Sequence, residues 1–215
     1  PTSDVVLTIT SDDTGEATVP ASVTFTPANW DTAQTVTVTG VDEDIVDGTI
    51  TSTITVAVDD ANSDDDFDAV ADQTVSVDTT DDDVAGFTVD EFEGSTEVTE
   101  AGSTDTFTVV LDAQPTSDVV LTVTSDDTSE ATVNSPLTFT PVNWDTPQTV
   151  TVTGADDSII DGTITSTITI AVVDITSDDN FDAVADQTVS VDTTDDDVAG
   201  FTIDELDGSL EVDES

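Results

Sequence analysis

Thr149-Val150-Thr151-Val152-Thr153 places valine and threonine at alternate positions. In an extended chain successive side chains point to opposite faces, so the valines share one face and the threonines the other. The same alternation runs through 163–173 and through 105–111, where Phe107, Val109 and Leu111 lie opposite Thr106, Thr108 and Val110. Threonine and β-branched residues fit a half-buried pleated surface. Strands are expected near 87–90, 97–99, 105–111, 118–124, 131–133, 136–140, 148–153, 163–173 and 187–192, with Gly, Pro, Asn and Asp clusters between them. No segment carries a helical period. Short antiparallel strands at this spacing predict an all-β chain of immunoglobulin-like sandwiches, each of about seven strands.

The chain repeats itself. Pro1-Thr2-Ser3-Asp4-Val5-Val6-Leu7 returns as Pro115-Thr116-Ser117-Asp118-Val119-Val120-Leu121, and Trp30, Phe67 and Phe87 return as Trp144, Phe181 and Phe201. The offset is 114 throughout, and 78 of the 101 overlapping positions are identical. A period this long describes whole domains in tandem rather than a solenoid. The unit is read as 86–199, opening after Asp81-Asp82-Asp83 and closing after Asp195-Asp196-Asp197. Residues 1–85 are then a repeat lacking its first strands, and 200–215 the first strand of a following repeat. This phasing fits a window on a longer array, or strands supplied by a neighbouring subunit. Trp30 and Trp144, each after an Asn and before a strand, are expected at the core or its edge, with Phe25, Phe67, Phe87 and their counterparts inside it.

Charge sets the second constraint. The 215 residues include 50 Asp and Glu and no Lys, Arg or His, a formal net charge of −50. No side-chain ion pair is possible, and compaction works against self-repulsion. Such a field disfavours nucleic acid and anionic membrane surfaces. The longest apolar run, around Ile168 to Val173, is far too short to cross a bilayer. There is no cysteine for disulfides or thiolate metal sites. Without His, Lys, Arg, Cys or Tyr, acid–base and nucleophilic catalysis lose most of their usual side chains, and no enzymatic activity is expected. The same composition leaves trypsin no site to cleave.

The acidic residues are concentrated. Asp195-Asp196-Asp197 follows the last expected strand; Asp156, Asp157 and Asp161 occupy the loop before 163–173; Asp126 and Asp127 end the strand at 118–124; Glu97 and Glu100 close the first. Strand ends at one pole of a sandwich meet in space. Converging carboxylates raise one another's pKa or push the loops apart unless a cation joins them. Calcium, with six to eight oxygen ligands in flexible geometry, suits Asp-rich loops; magnesium keeps its waters, and zinc lacks His and Cys partners. Ser177-Asp178-Asp179-Asn180-Phe181-Asp182 is a second, weaker metal candidate without the Gly and terminal Glu of an EF-hand loop.

The unit resembles a Calx-beta domain of the kind found in tandem arrays of giant bacterial surface proteins. The resemblance rests on Glu100-Ala101-Gly102-Ser103 before the Phe107 strand, on the run from Phe139 through Trp144 to Val152, on the Asp156-Asp157 loop and on the terminal Asp run. It covers the whole 114-residue period. It implies calcium at one pole, held by Glu100, Asp126 or Asp127, Asp156, Asp157, Asp161 and Asp195, Asp196 and Asp197. In the first repeat the implied positions are Asp42, Asp44, Asp47 and Asp81, Asp82 and Asp83.

The expected role is structural: an extracellular or cell-surface stalk or extender of an adhesin or biofilm matrix protein. Its partners would be calcium ions and neighbouring repeats, with each ion neutralising carboxylates of two consecutive repeats. The alternative is a subunit of a polymeric filament or surface layer joined to adjacent subunits by strand exchange. Alternating threonines such as Thr35 to Thr39 also match the pattern of ice-binding arrays, but solvated strands use them routinely.

Overall fold

The computed structural model describes residues 1–204. The expectation of a strand over 200–215 falls mostly on 205–215, outside the described residues; 200–204 are unpaired, with Phe201 and Ile203 exposed. The described chain is all-β apart from short 3-10 turns, and no helix is long and apolar enough to cross a membrane.

The second repeat is a two-layer sandwich. One layer is ordered β12 (Leu137–Phe139), β10 (Val119–Ser125), β14 (Thr163–Val172), β15 (Gln187–Thr194) and β8 (Thr96–Thr99). The other is β11 (Ala131–Val133), β13 (Gln148–Gly154), β9 (Thr104–Leu111) and β7 (Phe87–Glu91). All pairs are antiparallel except β15 with β8, which run parallel with Val191 opposite Thr96. These nine strands follow the alternation. Val150 and Val152 are buried while Thr149 and Thr151 are not, and Phe107, Val109 and Leu111 join them in the core. The facing layer contributes Val119, Leu121, Phe139, Ile168, Ile170, Val189 and Val191 to the same cluster. Each such side chain, fully buried, stabilises the fold by about 1.5–3 kcal/mol.

The first repeat, residues 1–85, is described with fewer strands. Its sheet is β3 (Ser22–Phe25), β1 (Val5–Ser11), β5 (Ile50–Val58) and β6 (Gln73–Thr79), in that order, with a two-residue pair of β2 (Ala17–Thr18) and β4 (Thr39–Gly40) beside it. Residues 34–38 match the sequence of β13 from Gln148 to Val152 but form no strand. In the second repeat β13 pairs with β9 along six positions, and no described strand offers 34–38 that partner. The core side of β6 is uncovered for the same reason: Val75 is 56% exposed, whereas Val189, 114 positions later, is 1% exposed. Trp144 packs against the core, but Trp30 is 60% exposed. Phe87, Phe139 and Phe181 are buried, and Phe25 and Phe67 only half-buried.

The repeats touch through the segment 83–85, whose Ala85 packs against the second repeat's core, and through the loop 42–48. Ile45 bridges Gln114, the Gln114 N–H donates to Asp44 O at 2.6 Å, and Val46 N–H donates to Gln114 O at 3.1 Å. The Asn180 side-chain amide donates to Val46 O at 2.6 Å, and Val46 packs against the second repeat's core.

Candidate metal centre

The pole of the second repeat is built from four chain segments. β8 delivers Glu100, whose backbone N–H continues the ladder to Thr194 O at 3.1 Å. The segment before β11 brings Glu130, fixed by Ala155 N–H donating to its carbonyl at 2.7 Å. The loop after β13 brings Asp157 and Asp161, and the end of β15 brings Asp195 and Asp197. Asp195 clamps the loop: its Oδ2 accepts from Asp161 N–H at 3.0 Å and Gly162 N–H at 2.9 Å, and its Oδ1 accepts from Asp197 N–H at 2.7 Å. Gly162 sits at φ +82°, in the left-handed region that a side chain resists.

Ligand-capable oxygens of Glu100, Asp157 and Asp197 lie within 4.8 Å of one another, and so do those of Glu100, Glu130 and Asp161. Glu100 belongs to both sets and is fully buried. Neither of its carboxylate oxygens has a hydrogen-bond partner, and the same holds for Glu130 Oε2 and Asp197 Oδ2. Burying an unpaired carboxylate costs several kcal/mol, so these atoms face one another at a cost that nothing among the described residues offsets. Their pKa values follow. Glu100 is pushed up by burial, then by the charges of Asp195, Asp157, Asp161 and Glu130. Glu130 is raised by burial and Asp161 first, and Asp197 by burial and then Asp195. Asp195 is held below the usual carboxylate range by the amides of Gly162 and Asp197. The donor set is all oxygen, acidic and short of hydrogen bonds, which fits a hard cation such as calcium.

The first repeat gathers Glu16, Glu43 and Asp47 within 4.8 Å, beside a cavity of about 20 Å³ lined also by Asp81 and Asp83. Asp81 plays the part of Asp195, accepting from Gly48 N–H at 2.8 Å and Asp47 N–H at 3.1 Å. Glu16 is raised by burial and then Asp47, and Asp83 by burial and then Asp81.

Several sequence-marked residues stand apart from these sets. Asp126 Oδ1 accepts from Thr167 N–H at 2.7 Å, and Asp127 is occupied by Ser129, accepting from its N–H at 3.0 Å. Asp42, Asp44, Asp82, Asp156 and Asp196 are exposed and in none of the three sets, although Asp42 and Asp82 line the cavity beside Glu16, Glu43 and Asp47. Glu16, Glu43 and Glu130 were missed. Their signal is chemical: glutamate in loops that otherwise use aspartate, with Glu16 and Glu130 repeated at the same offset just before β2 and β11. The expected sharing of an ion between repeats also changes. Each carboxylate set among the described residues comes from one repeat: the loop 42–48 turns Glu43 and Asp47 toward Glu16, while its backbone at Asp44 and Val46 meets the second repeat. Asp178, in the second metal candidate, is instead a structural anchor. It accepts from Thr116 N–H and Oγ1, both at 2.6 Å, from Ser117 N–H at 2.8 Å and from Asn180 N–H at 3.0 Å. Burial alone would raise its pKa, but these donors bring it below the ordinary value.

No protein-family model and no curated protein matches the sequence. Among solved structures, the surface layer protein SbsC, domains 1-6, is similar over 88% of this chain at 20% identity and a TM-score of 0.42. The apo-form Calx CBD1 domain is similar over 54% of this chain and all of that one, at 17% identity and a TM-score of 0.38. The calcium binding domain CBD12 of CALX1.1 is similar over 79% of this chain and 68% of that one, at 13% identity and a TM-score of 0.35. The chain spans 20% of the length of the SbsC chain.

Proposed function

We propose that this chain is a calcium-stabilised extender from a large secreted or cell-surface protein, a stalk of tandem sandwiches as in an adhesin, biofilm matrix protein or surface fibre. The observation that carries the reading is Glu100: a fully buried carboxylate with both oxygens unpartnered, facing four more acids, in a chain without one cationic side chain. Glu100, Asp157 and Asp197 would hold one ion, and Glu100, Glu130 and Asp161 a second. Glu16, Glu43 and Asp47 would hold one in the first repeat. Calcium bound there supplies the positive charge that the chain lacks. Neutralised, the loop 42–48 keeps Asp44 and Val46 fixed against Gln114, which stiffens the joint between repeats. Extracellular modules of this chemistry bind calcium with Kd of about 10⁻⁴–10⁻³ M, so low intracellular calcium leaves the chain loose and extracellular calcium folds it.

The test is melting by circular dichroism and small-angle scattering, in millimolar calcium, in equal magnesium, in chelator, and in chelator with molar NaCl. Calcium at these levels should raise Tm and extend the particle where magnesium and NaCl do not. Unchanged Tm and shape in chelator would sink the reading. Equal rescue by NaCl would reduce the acidity to salt adaptation.

A further inference from the structure

The two repeats are identical from Phe67 to Thr88 and from Phe181 to Thr202, and they part in the ten positions before that stretch. Within 171–180, Val173, Ile175, Thr176 and Asn180 stand where 57–66 has Asp59, Ala61, Asn62 and Asp66. Two of these four exchanges remove a carboxylate. The segment leads from β14 toward β15 at the pole that meets the first repeat, where the Asn180 amide donates to Val46 O at 2.6 Å. In a chain whose charges all repel, repeats meet end to end only through neutral groups or a bridging cation. The joint is built of neutral groups. Backbone Gln114 donates to Asp44 O at 2.6 Å and accepts from Val46 N–H at 3.1 Å, and its side-chain amide donates to Pro141 O at 2.7 Å, which ties it to the turn before Trp144. Packing alone does not set the angle, because Val46, Ala85, Asn180 and Val184 line an open cavity of about 380 Å³. An aspartate at 180 would set a carboxylate against the Val46 carbonyl, two acceptors with no proton between them. The turn itself takes either residue: Asp66 N–H donates to Asp64 Oδ1 at 3.3 Å as Asn180 N–H donates to Asp178 Oδ1 at 3.0 Å. The turn does not call for asparagine; the joint does.

We propose that Asn180 is the specificity-determining residue of a directional lock between the repeats. Its side-chain amide and the Gln114 backbone N–H receive the Val46 and Asp44 carbonyls of the loop 42–48 and fix the angle at which the second repeat leaves the first. The lock needs no bound ion, since none of its hydrogen bonds uses a carboxylate oxygen. Failure of the calcium reading therefore leaves it standing.

The chain has no cysteine of its own, so spin labels on Thr74→Cys and Thr188→Cys, both exposed and one in each repeat, report the distance between repeats in the full chain. This labelled parent would be compared with Asn180→Asp, Asn180→Ala and Asp66→Asn by double electron–electron resonance, in calcium and in chelator. In either medium both Asn180 variants should broaden the distance distribution at least twofold, with unchanged circular dichroism. Asp66→Asn, which makes the same exchange in reverse away from the joint, should leave the width alone. The proposal falls if the Asn180 variants keep the parental width in either medium, or if Asp66→Asn broadens it equally. It also falls if Asn180→Asp broadens the distribution and Asn180→Ala does not, because added charge rather than a lost donor would then be the cause.

Discussion

Gly154→Ala should destabilise the protein while Gly40→Ala, 114 positions earlier, should not. A methyl group at Gly154 would lie 2.0 Å from the Thr99 carbonyl oxygen and 2.8 Å from its carbon. Ordinary contact requires about 1.4 Å more, and it must come from backbone. Neither side yields easily. Thr99 is paired with Thr194 and its carbonyl accepts from Gly102 N–H at 3.1 Å. Gly154 itself donates to Ser103 O at 3.0 Å. Overpacking of this kind costs about 1–3 kcal/mol, and rigid backbone on both sides puts Gly154 at the upper end. At Gly40 the added methyl meets only the Thr79 Cγ2 at 3.7 Å, an ordinary contact, because no described strand stands beside it as β8 stands beside Gly154. Alanine there should gain the few tenths of a kcal/mol that stiffening the unfolded chain provides. Urea denaturation of both variants in calcium measures the difference. Calcium affinity should also fall in Gly154→Ala alone, since Thr99 carries Glu100. If Gly154→Ala is as stable as the parent, or Gly40→Ala loses as much, the close approach of β13 to β8 is not a constraint on this fold.

The raised carboxyls give a pH signature of defined sign. Glu100, Glu130 and Asp197 bind protons more readily in the folded chain than in the unfolded one, so metal-free stability should rise as pH falls from 7 toward about 5. In saturating calcium the trend should reverse, because the same protons displace the ion; parallel Tm profiles in chelator and calcium test both signs. Asp178→Ala should cost about 3 kcal/mol, the worth of hydrogen bonds to a buried charge, without changing calcium stoichiometry by calorimetry. Loss of an ion would return Asp178 to the metal-ligand set. Val189→Asp should unfold the second repeat, at about 4 kcal/mol or more for a buried unpaired charge, while Val75→Asp stays within about 0.5 kcal/mol in urea denaturation.

The strands between Phe87 and Thr194 were legible because alternation encodes which face a residue shows. It does not encode who the neighbour is. Residues 34–38 alternate as well as β13 does, yet a strand needs a partner for its backbone, and the partner β9 has no counterpart among the described residues of the first repeat. The acidic pole was legible as a region but not residue by residue, because counting carboxylates ignores which are already engaged. Asp127-Thr128-Ser129 is an Asx-turn sequence, and its aspartate is taken up by Ser129; Asp126 is consumed by Thr167 N–H.

That distinction also explains how a chain without cationic side chains folds. Its inward carboxylates are of two kinds. Asp178, Asp195 and Asp81 accept backbone N–H groups and are held below their ordinary pKa. Asp64, held by the amides of Ser3 and Thr2 and by the Thr2 hydroxyl, falls to about 2. For these, peptide dipoles replace the missing lysines and arginines. Glu100, Glu130 and Asp197 have atoms that no donor reaches, and their pKa values rise. The first kind builds loops that hold the second kind together: Asp195 fixes Asp161 by its amide, and Asp161 then stands beside Glu100 and Glu130. A fold that uses backbone amides to assemble carboxylates it leaves unsatisfied presents an all-oxygen cluster whose chemistry fits a cation.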